Sequence, residues 1–232
     1  MTLKLRFPHL LKALHRTSSE PVVINVMASS LDGMIGLDAF ESDAQRQAYG
    51  FGGQTDHEIL KHYLQNADAV VTGANSLRAS RKTWEIENRH HKFADWIVLT
   101  HNGLDPDLEF FRQKNVKKYL ISKSPLEGFH ASTHCENLNY EEHNLGSYLK
   151  NLFANKNYQT VLLFGGGEIN KLFYENNLVD YLSLTICPVI LARTNGPRFV
   201  DEGLDKSILL SYESSQVSEN LVFLKYKVKK NN

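Results

Sequence analysis

The chain has few cysteines, no excess of either charge and no long apolar run, and each of these shortages excludes a class of protein. Only two of its 232 residues are cysteine, too few for the disulfide framework of a small secreted protein. Lys plus Arg and Asp plus Glu are equal at 26 each, so no overall field attracts nucleic acid or an anionic membrane. No segment reaches the ~18 apolar residues of a membrane helix, and the N-terminus lacks the apolar core of a secretory signal. We therefore expect a cytoplasmic protein with neither nucleic acid nor membrane as partner.

The common motifs for nucleotides and metals are missing as well. No G-x-G-x-x-G follows the first predicted strand, and no glycine-rich segment ends in Gly-Lys-Ser or Gly-Lys-Thr. The H-x-E and P-C-x-x-C pair that holds the zinc of nucleobase deaminases does not occur. His57 and His62 are five residues apart and His90 and His91 are adjacent, so neither pair has metal-ligand spacing and we expect no metal site. Any phosphate must be held by a local feature of the fold.

The most informative segment is residues 161–170, where an apolar run stops at three glycines and a helix-like pattern begins. Glycine lets the backbone turn tightly and approach a ligand, and a helix that begins there points unpaired N–H groups at whatever lies above the turn. A nucleotide pyrophosphate would suit that position. A turn that needs small residues only for packing explains the same pattern, so the motif alone leaves both interpretations open.

Apolar strand-like runs alternate with amphipathic segments along the chain. Strands are predicted over 22–28, 69–72, 96–100, 118–121, 160–164, 181–189 and 221–228, and helices over 57–64, 145–153 and 168–175. We expect a helical extension over residues 1–20 and a single domain over 21–230. The repeated strand, helix, strand order predicts a mostly parallel sheet with covered faces. The last two strands have no helix between them, so we expect them to pair antiparallel at one edge.

Small, polar or basic residues follow five of the predicted strands. They occupy positions 29–36, 73–79, 100–102, 122–123 and 165–167. In an open α/β sheet, ligands bind outside the carboxyl ends of the strands. Five such ends in succession are much harder to explain by chance than any one of them.

Four segments, in this order and at this approximate spacing, carry a family resemblance. They are Ala28-Ser-Ser-Leu-Asp-Gly33, Ala67-Asp-Ala-Val-Val-Thr-Gly-Ala-Asn-Ser-Leu-Arg-Ala79, Leu163-Phe-Gly-Gly-Gly-Glu168 and Leu178-Val-Asp-Tyr-Leu-Ser-Leu-Thr-Ile-Cys-Pro-Val-Ile-Leu191. Together they resemble the reductase domain of riboflavin biosynthesis, a pyrimidine reductase, from about residue 21 to about residue 228. The resemblance implies an α/β chain with the three-layer dihydrofolate-reductase-like fold, in which a mostly parallel central sheet has an antiparallel C-terminal edge. It also implies NADPH as cofactor, a small-molecule substrate and a homodimer.

The resemblance places the cofactor across the strand ends. The NADPH-binding positions it implies are Thr72, Gly73, Asn75, Ser76, Thr100, His101, Ser122, Gly165, Gly166, Gly167 and Glu168. A 2′-phosphate also needs positive charge in a neutral protein, and Arg78, Arg81 and Lys82 cluster just beyond the second segment. A solvated loop face accounts for Arg81 and Lys82 equally well.

The resemblance assigns substrate contacts to Ser29, Ser30, Asp32 and Phe164. Asp32 is the candidate catalytic residue, because a carboxylate after the first strand would lie near the nicotinamide and could orient a substrate amine or hydroxyl. An Asp-Gly turn explains Asp32 without any site, since both residue types favour turns. Phe164 occupies the position before the glycine pair at which riboflavin reductases usually carry a glutamate, and Ala79-Ser-Arg-Lys-Thr-Trp84 replaces their Asp-Asp-Pro element.

The reaction that the resemblance implies is that of 5-amino-6-(5-phosphoribosylamino)uracil reductase, which transfers a hydride to the ribosyl group of an aminopyrimidine phosphate. Hydride transfer is the chemistry of the cofactor, so the protein supplies orientation, exclusion of water and a proton source. Two alternatives stay open. One is a dihydrofolate-reductase-like reductase of another small heterocycle, and the other is a non-catalytic NADP(H)-binding protein.

Overall fold

A computed structural model describes residues 20–88, 90–140, 144–201 and 203–230 of the chain. Nine strands of this described part form one sheet. They are β1 (Val22–Ser29), β2 (Ala69–Gly73), β3 (Asp95–Leu99), β4 (Lys118–Ser122), β5 (Cys135–Asn139), β6 (Thr160–Phe164), β7 (Tyr181–Ile186), β8 (Leu209–Ser218) and β9 (Leu221–Lys229). Their order across the sheet is β5-β4-β3-β2-β6-β1-β7-β9-β8. The strands from β5 to β7 in this order are parallel, whereas β9 runs antiparallel to β7 and to β8.

Helices connect the parallel strands and begin at the carboxyl edge of the sheet. They are α1 (Asp43–Ala48), α2 (Gln54–Leu64), α3 (Ala74–Ser80), α4 (Glu109–Arg112), α5 (Leu145–Asn155) and α6 (Gly167–Glu175). Local sequence explains several of their starts. Ser42 and Gln45 form a capping box before α1, and the Asn144 side chain accepts hydrogen bonds from the first backbone N–H groups of α5. Gly166 precedes α6 with an extended backbone and no side-chain cap, so the first N–H groups of that helix stay unpaired within it.

Helices cover both faces of the sheet, which gives the chain three layers. Neighbouring residues of β1 point to opposite faces, with Val23 in the cluster under α5 and α6 and Ile24 in the cluster under α2. Leu77 of α3 packs with Val98 and Leu120, on β3 and β4. The predicted architecture is confirmed: an α/β fold in three layers with a mostly parallel sheet and an antiparallel C-terminal edge.

Several elements differ from the sequence prediction. Strand β7 ends at Ile186, three residues earlier than predicted, and β5, β8, α1, α3 and α4 were not predicted as separate elements. The antiparallel pairing of β7 with β9 is confirmed, but β8 and not β9 is the edge strand. The predicted N-terminal helix lies outside the described residues, apart from Glu20. No helix in the described part of the chain is long and apolar enough to cross a membrane.

Candidate active site

A cavity of about 780 Å³ runs along the carboxyl ends of the parallel strands. It is bounded by the ends of β2, β3 and β6, by the last part of β1 and by the first turns of α2, α3 and α6. Its size falls within the range of about 300–1,000 Å³ that is usual for ligand and cofactor sites. Since parallel strands all end at this edge and the following helices begin there, backbone N–H groups converge on the cavity.

Most of the predicted cofactor residues line this cavity. They are Thr72, Gly73, Asn75, Ser76, Arg78, Thr100, His101, Gly165, Gly166, Gly167 and Glu168, together with Phe164 from the predicted substrate set. Ser122 does not line it. The Ser122 hydroxyl is buried, donates to the carbonyl of Ser124 at 2.8 Å and accepts from the amides of Asn137 and Asn139 at 2.9 and 3.0 Å. In this structure Ser122 joins β4 to β5.

The two predicted threonines brace the strand ends. The Thr72 hydroxyl donates to the carbonyl of Phe164 at 2.9 Å, which ties the end of β2 to the end of β6. The Thr100 hydroxyl donates to the carbonyl of Gly103 at 3.0 Å and closes the loop after β3. Each hydroxyl oxygen has lone pairs left, but its proton is already used within the protein.

Charged side chains lie along the outer part of the same wall. The Arg78 guanidinium donates to the Asn75 side chain at 2.7 Å and to the carbonyl of Gly103 at 3.0 Å, so it links the start of α3 to the loop after β3. His101 Nε2 lies 3.5 Å from a carboxylate oxygen of Glu168, and both side chains are largely exposed. Arg78 keeps further N–H donors for a ligand, because a guanidinium carries five.

The three glycines before α6 have different surroundings. A Cβ atom on Gly165 would lie 2.4 Å from the side-chain oxygen of Asn170, and one on Gly167 would lie 2.3 Å from a carboxylate oxygen of Asp201. A Cβ atom on Gly166 would meet nothing within 4 Å. Packing therefore requires the first and third glycines, whereas the second faces open space.

Asp32 holds a neighbouring loop. Its carboxylate accepts hydrogen bonds from the Ser30 hydroxyl at 2.6 Å and from the backbone N–H groups of Leu191 and Ala192 at 3.1 and 2.8 Å. These bonds, the Ser30 bond first among them, lower the pKa of Asp32 to about 2. Asp32, Ser29 and Ser30 are not among the residues that line the cavity. Their contact with substrate stays a prediction.

A different carboxyl group does line the cavity. Asp56, in the first turn of α2, is half-buried and accepts a hydrogen bond from the Thr185 hydroxyl of β7 at 2.7 Å. Burial raises the pKa of Asp56, and the Thr185 bond partly opposes that rise. No pattern in the sequence distinguishes Asp56, because an acid in the first turn of a helix is common for reasons of the helix dipole alone.

Phe164 contributes an apolar wall. Its ring lies against that of Trp96 in an edge-on arrangement, with the centroids 6.3 Å apart, and both residues line the cavity. The indole N–H of Trp96 is buried and has no hydrogen-bond partner in the described part of the chain. No three His, Cys, Asp or Glu side chains gather as a metal site would require, among residues 20–230 outside the undescribed gaps.

Several solved structures have the same fold as this chain. A pyrimidine reductase-like protein from Corynebacterium diphtheriae matches with a TM-score of 0.72 and 19% identity, over 91% of this chain and 93% of its own. The riboflavin biosynthesis reductase Rib7 of Saccharomyces cerevisiae matches with a TM-score of 0.68 and 14% identity, over 96% and 99%. A dihydrofolate reductase from Enterococcus faecalis, complexed with NADP(H), matches with a TM-score of 0.54 and 14% identity, over 90% and 97%.

At these identities the structural matches show the fold alone. The chain spans 59% of the length of the RibD of Acinetobacter baumannii, which also matches. No curated protein matches the sequence. The model of the family described as the RibD C-terminal domain matches residues 21–224, which is most of the chain. The chain therefore belongs to the RibD C-terminal domain family.

Proposed function

We propose that this chain is an NADPH-dependent reductase that acts on an aminopyrimidine ribosyl phosphate, as 5-amino-6-(5-phosphoribosylamino)uracil reductase does. One observation carries the proposal: a single cavity joins the glycine turn before α6 to the half-buried carboxyl group of Asp56. A nucleotide suits the first feature, and an amino-substituted heterocycle suits the second. The family and the names of the matched structures support the same reaction class.

The residues at the α6 end fit a dinucleotide pyrophosphate. Gly166 leaves open space above the turn, and the first N–H groups of α6 are unpaired within the helix. Arg78 and His101 add donors on the side of β2 and β3, where the adenosine half would lie. When bound, the nicotinamide supplies the hydride. The protein holds the cofactor, excludes water and orients the acceptor carbon.

The residues at the α2 end fit the substrate ring. The half-buried Asp56 carboxyl group has one donor in Thr185, and the amino groups of a pyrimidine would provide another. Because its pKa is raised, Asp56 keeps its proton to higher pH than an ordinary aspartate, which suits a proton donor. Thr185 fixes the orientation of the carboxyl group, and Phe164 and Trp96 give the ring an apolar wall.

The apolar Phe164 also favours a second candidate, a dihydrofolate-reductase-like reductase of another small heterocycle. A wall of this kind contacts the faces of a ring and does not select a ribosyl group. The two candidates share the cofactor and the role of Asp56. They differ in the substrate alone, so turnover measurements separate them. The homodimer implied by the resemblance belongs to the same proposal and is checked by sedimentation of the full chain.

The proposal is tested by titrating the purified chain with NADPH, followed by the change in cofactor fluorescence, and then measuring NADPH oxidation. We expect binding of NADPH and oxidation in the presence of the ribosylaminopyrimidine phosphate. Oxidation with dihydrofolate or a related heterocycle alone would favour the second candidate. Binding without turnover of either substrate would leave a non-catalytic NADP(H)-binding protein, and a chain that does not bind NADPH would refute the reductase proposal.

A further inference from the structure

Among the residues that the structure describes, four lysine or arginine side chains line the cavity, and three of them already have polar partners within the protein. These are Arg78 with Asn75 and Gly103, Lys82 with Glu109 at 3.6 Å, and Lys171 with Glu175 at 4.0 Å. The fourth is Arg46 of α1. No hydrogen bond or ion pair joins the Arg46 guanidinium to any other residue that the structure describes. Of these four described cations, Arg46 is therefore the one that is available to a ligand.

The guanidinium of Arg46 is held in place although it is unpaired. Its central carbon lies 6.0 Å from the ring centroid of Phe51, a buried residue that also lines the cavity. Its Nε–H is buried and has no hydrogen-bond partner among the described residues. A buried donor on a charged group is costly to leave unsatisfied, and such groups in native structures usually have a partner. The two Nη groups are not among the buried atoms, so they are the donors of Arg46 that an anion in the cavity would contact.

Glu41, an acidic residue that also lines the cavity, has hydrogen-bond partners other than Arg46. The Glu41 carboxylate accepts hydrogen bonds from the backbone N–H of Leu37 and from the hydroxyl of Tyr49, both at 2.8 Å. Burial, together with this hydrogen bond, raises the pKa of Tyr49 to about 12, so the hydroxyl keeps its proton at neutral pH. Glu41 is thus satisfied without Arg46, and no ion pair forms between the two.

The position of Arg46 indicates which ligand it faces. Residues 46–56 surround the end of the cavity next to β7, since the N–H of Gly52 lies 3.2 Å from the sulfur of Cys187 and Asp56 is bonded to Thr185. The cofactor residues lie at the ends of β2, β3 and β6, toward the other side of the sheet. An anion bound by Arg46 therefore belongs to the substrate and not to the pyrophosphate.

We propose that Arg46 binds the phosphate monoester of the substrate and selects the phosphorylated form over the unphosphorylated one. This proposal rests on the proposed function, because it takes the α2 end of the cavity as the substrate end. The guanidinium fork matches two phosphate oxygens, and the Phe51 ring presets its orientation. Arg46 is a specificity-determining residue that contacts the phosphate, and Asp56 contacts the ring.

The test compares ribose 5-phosphate with ribose as probes, each added to the full chain saturated with NADPH so that the cofactor phosphates are already in place. Binding is read as the rise in melting temperature at increasing probe concentration. The variants are Arg46→Met, which keeps the length and removes the charge, and Arg46→Lys, which keeps the charge without the fork. Lys171→Met is the matched control, because it removes another lining cation.

We expect ribose 5-phosphate, but not ribose, to stabilise the wild type and the Lys171→Met variant. Arg46→Met should weaken the binding of ribose 5-phosphate by about 10-fold to 100-fold, and Arg46→Lys should keep part of it. Equal stabilisation of the wild type and Arg46→Met would overturn the proposal, as would a wild type that ribose 5-phosphate does not stabilise.

The test of Arg46 and the test of the proposed function can give different results. If ribose 5-phosphate binding depends on Arg46 while no aminopyrimidine oxidises NADPH, the phosphate site stands and the assigned reaction fails. If the aminopyrimidine phosphate is reduced and Arg46→Met leaves its KM unchanged, the reaction stands and the role of Arg46 fails.

Discussion

The substitution Gly166→Val tests the pyrophosphate site with little disturbance of the fold. The backbone at Gly166 has φ −81° and ψ 179°, an extended conformation that β-branched residues adopt readily. A Cβ atom there meets no protein atom within 4 Å, whereas one on Gly165 or Gly167 would collide with Asn170 or Asp201. Gly166 is therefore the glycine of the turn at which an added side chain reaches a ligand before it reaches the protein.

The expected loss follows from the contacts that a side chain at this position would obstruct. A hydrogen bond between a backbone N–H and a charged group contributes about 1.5–3 kcal/mol. Losing one such bond weakens NADPH binding by about 10-fold to 150-fold. Valine is a poorer N-cap than glycine, which costs about 1 kcal/mol of helix stability and lowers the melting temperature by about 2–4 °C.

The assay is a fluorescence titration with NADPH, with a melting curve for each variant. Gly53→Val is the matched control: Gly53 is also the N-cap of a helix and lines the cavity, but it lies at the α2 end. A Cβ atom there makes an ordinary contact of 3.7 Å with Leu221. We expect unchanged NADPH affinity in this control. Unchanged affinity in a folded Gly166→Val chain would refute the assignment of the pyrophosphate to this turn.

Three further substitutions test the charges around the cavity. Asp201→Asn removes a carboxylate that lies against Gly167 at the start of α6. Because a charge near a helix terminus contributes about 0.3–1 kcal/mol, titrations should show NADPH binding about two- to five-fold tighter than in the wild type. Weaker binding would contradict this expectation. Asp56→Asn should raise the melting temperature at neutral pH and abolish turnover. Because the pKa of Asp56 is raised in the folded chain, the wild type loses stability as the pH rises from the unfolded-state pKa near 3.8 through the folded-state pKa. Asparagine does not titrate and avoids this loss. A wild type whose melting temperature stays level across that range would count against a half-buried, titrating Asp56. Asp32→Asn should lower the melting temperature at pH 7. The difference from wild type should shrink as the pH falls from 3.8 toward 2, because the ionised carboxylate of Asp32, whose pKa is lowered in the folded chain, loses its stabilising effect over that pH range. A loss of turnover at unchanged melting temperature would instead support the predicted catalytic role.

The parallel part of the sheet could be predicted because its strands are buried on both faces. Segments such as β2 and β6 consist mainly of apolar residues, and a glycine and then a helix stand at the carboxyl end of each. The strand pattern depended on local sequence alone. The cofactor positions that the family resemblance implied lie at strand ends, and all of them except Ser122 line the cavity.

The strand β8 could not be predicted in the same way. Its side chains are largely exposed, with Leu209 60%, Tyr212 62% and Val217 69% accessible, so no buried face imposes an alternating pattern. The strand is held mainly by backbone pairing with β9, and a bulge between Tyr212 and Ser214 shifts its register. The strand β8 is therefore defined by its pairing with β9 and not by a pattern in its own residues.

Asp56 and Arg46, at the α2 end of the cavity, could not be predicted for a related reason. Asp43 and Asp56 both stand in the first turn of a helix and look alike in the sequence. Asp43 is exposed, whereas Asp56 is half-buried and hydrogen-bonded to Thr185, which is 129 positions away along the chain. Likewise, Arg46 lies in a polar segment, and only the folded chain shows that its guanidinium is unpaired. Long-range contacts give these residues their chemistry.

The glycine turn shows how one motif can carry two requirements. From the sequence, a packing turn and an anion site were competing explanations of the same three glycines. In the structure, each explanation applies to different glycines. Gly165 and Gly167 are needed to avoid contact with Asn170 and Asp201, whereas Gly166 leaves open space for a ligand. A chain of this fold that had lost its cofactor would still need the first and third glycines. The presence of glycine at the second position is therefore the part of the motif that bears on NADPH binding.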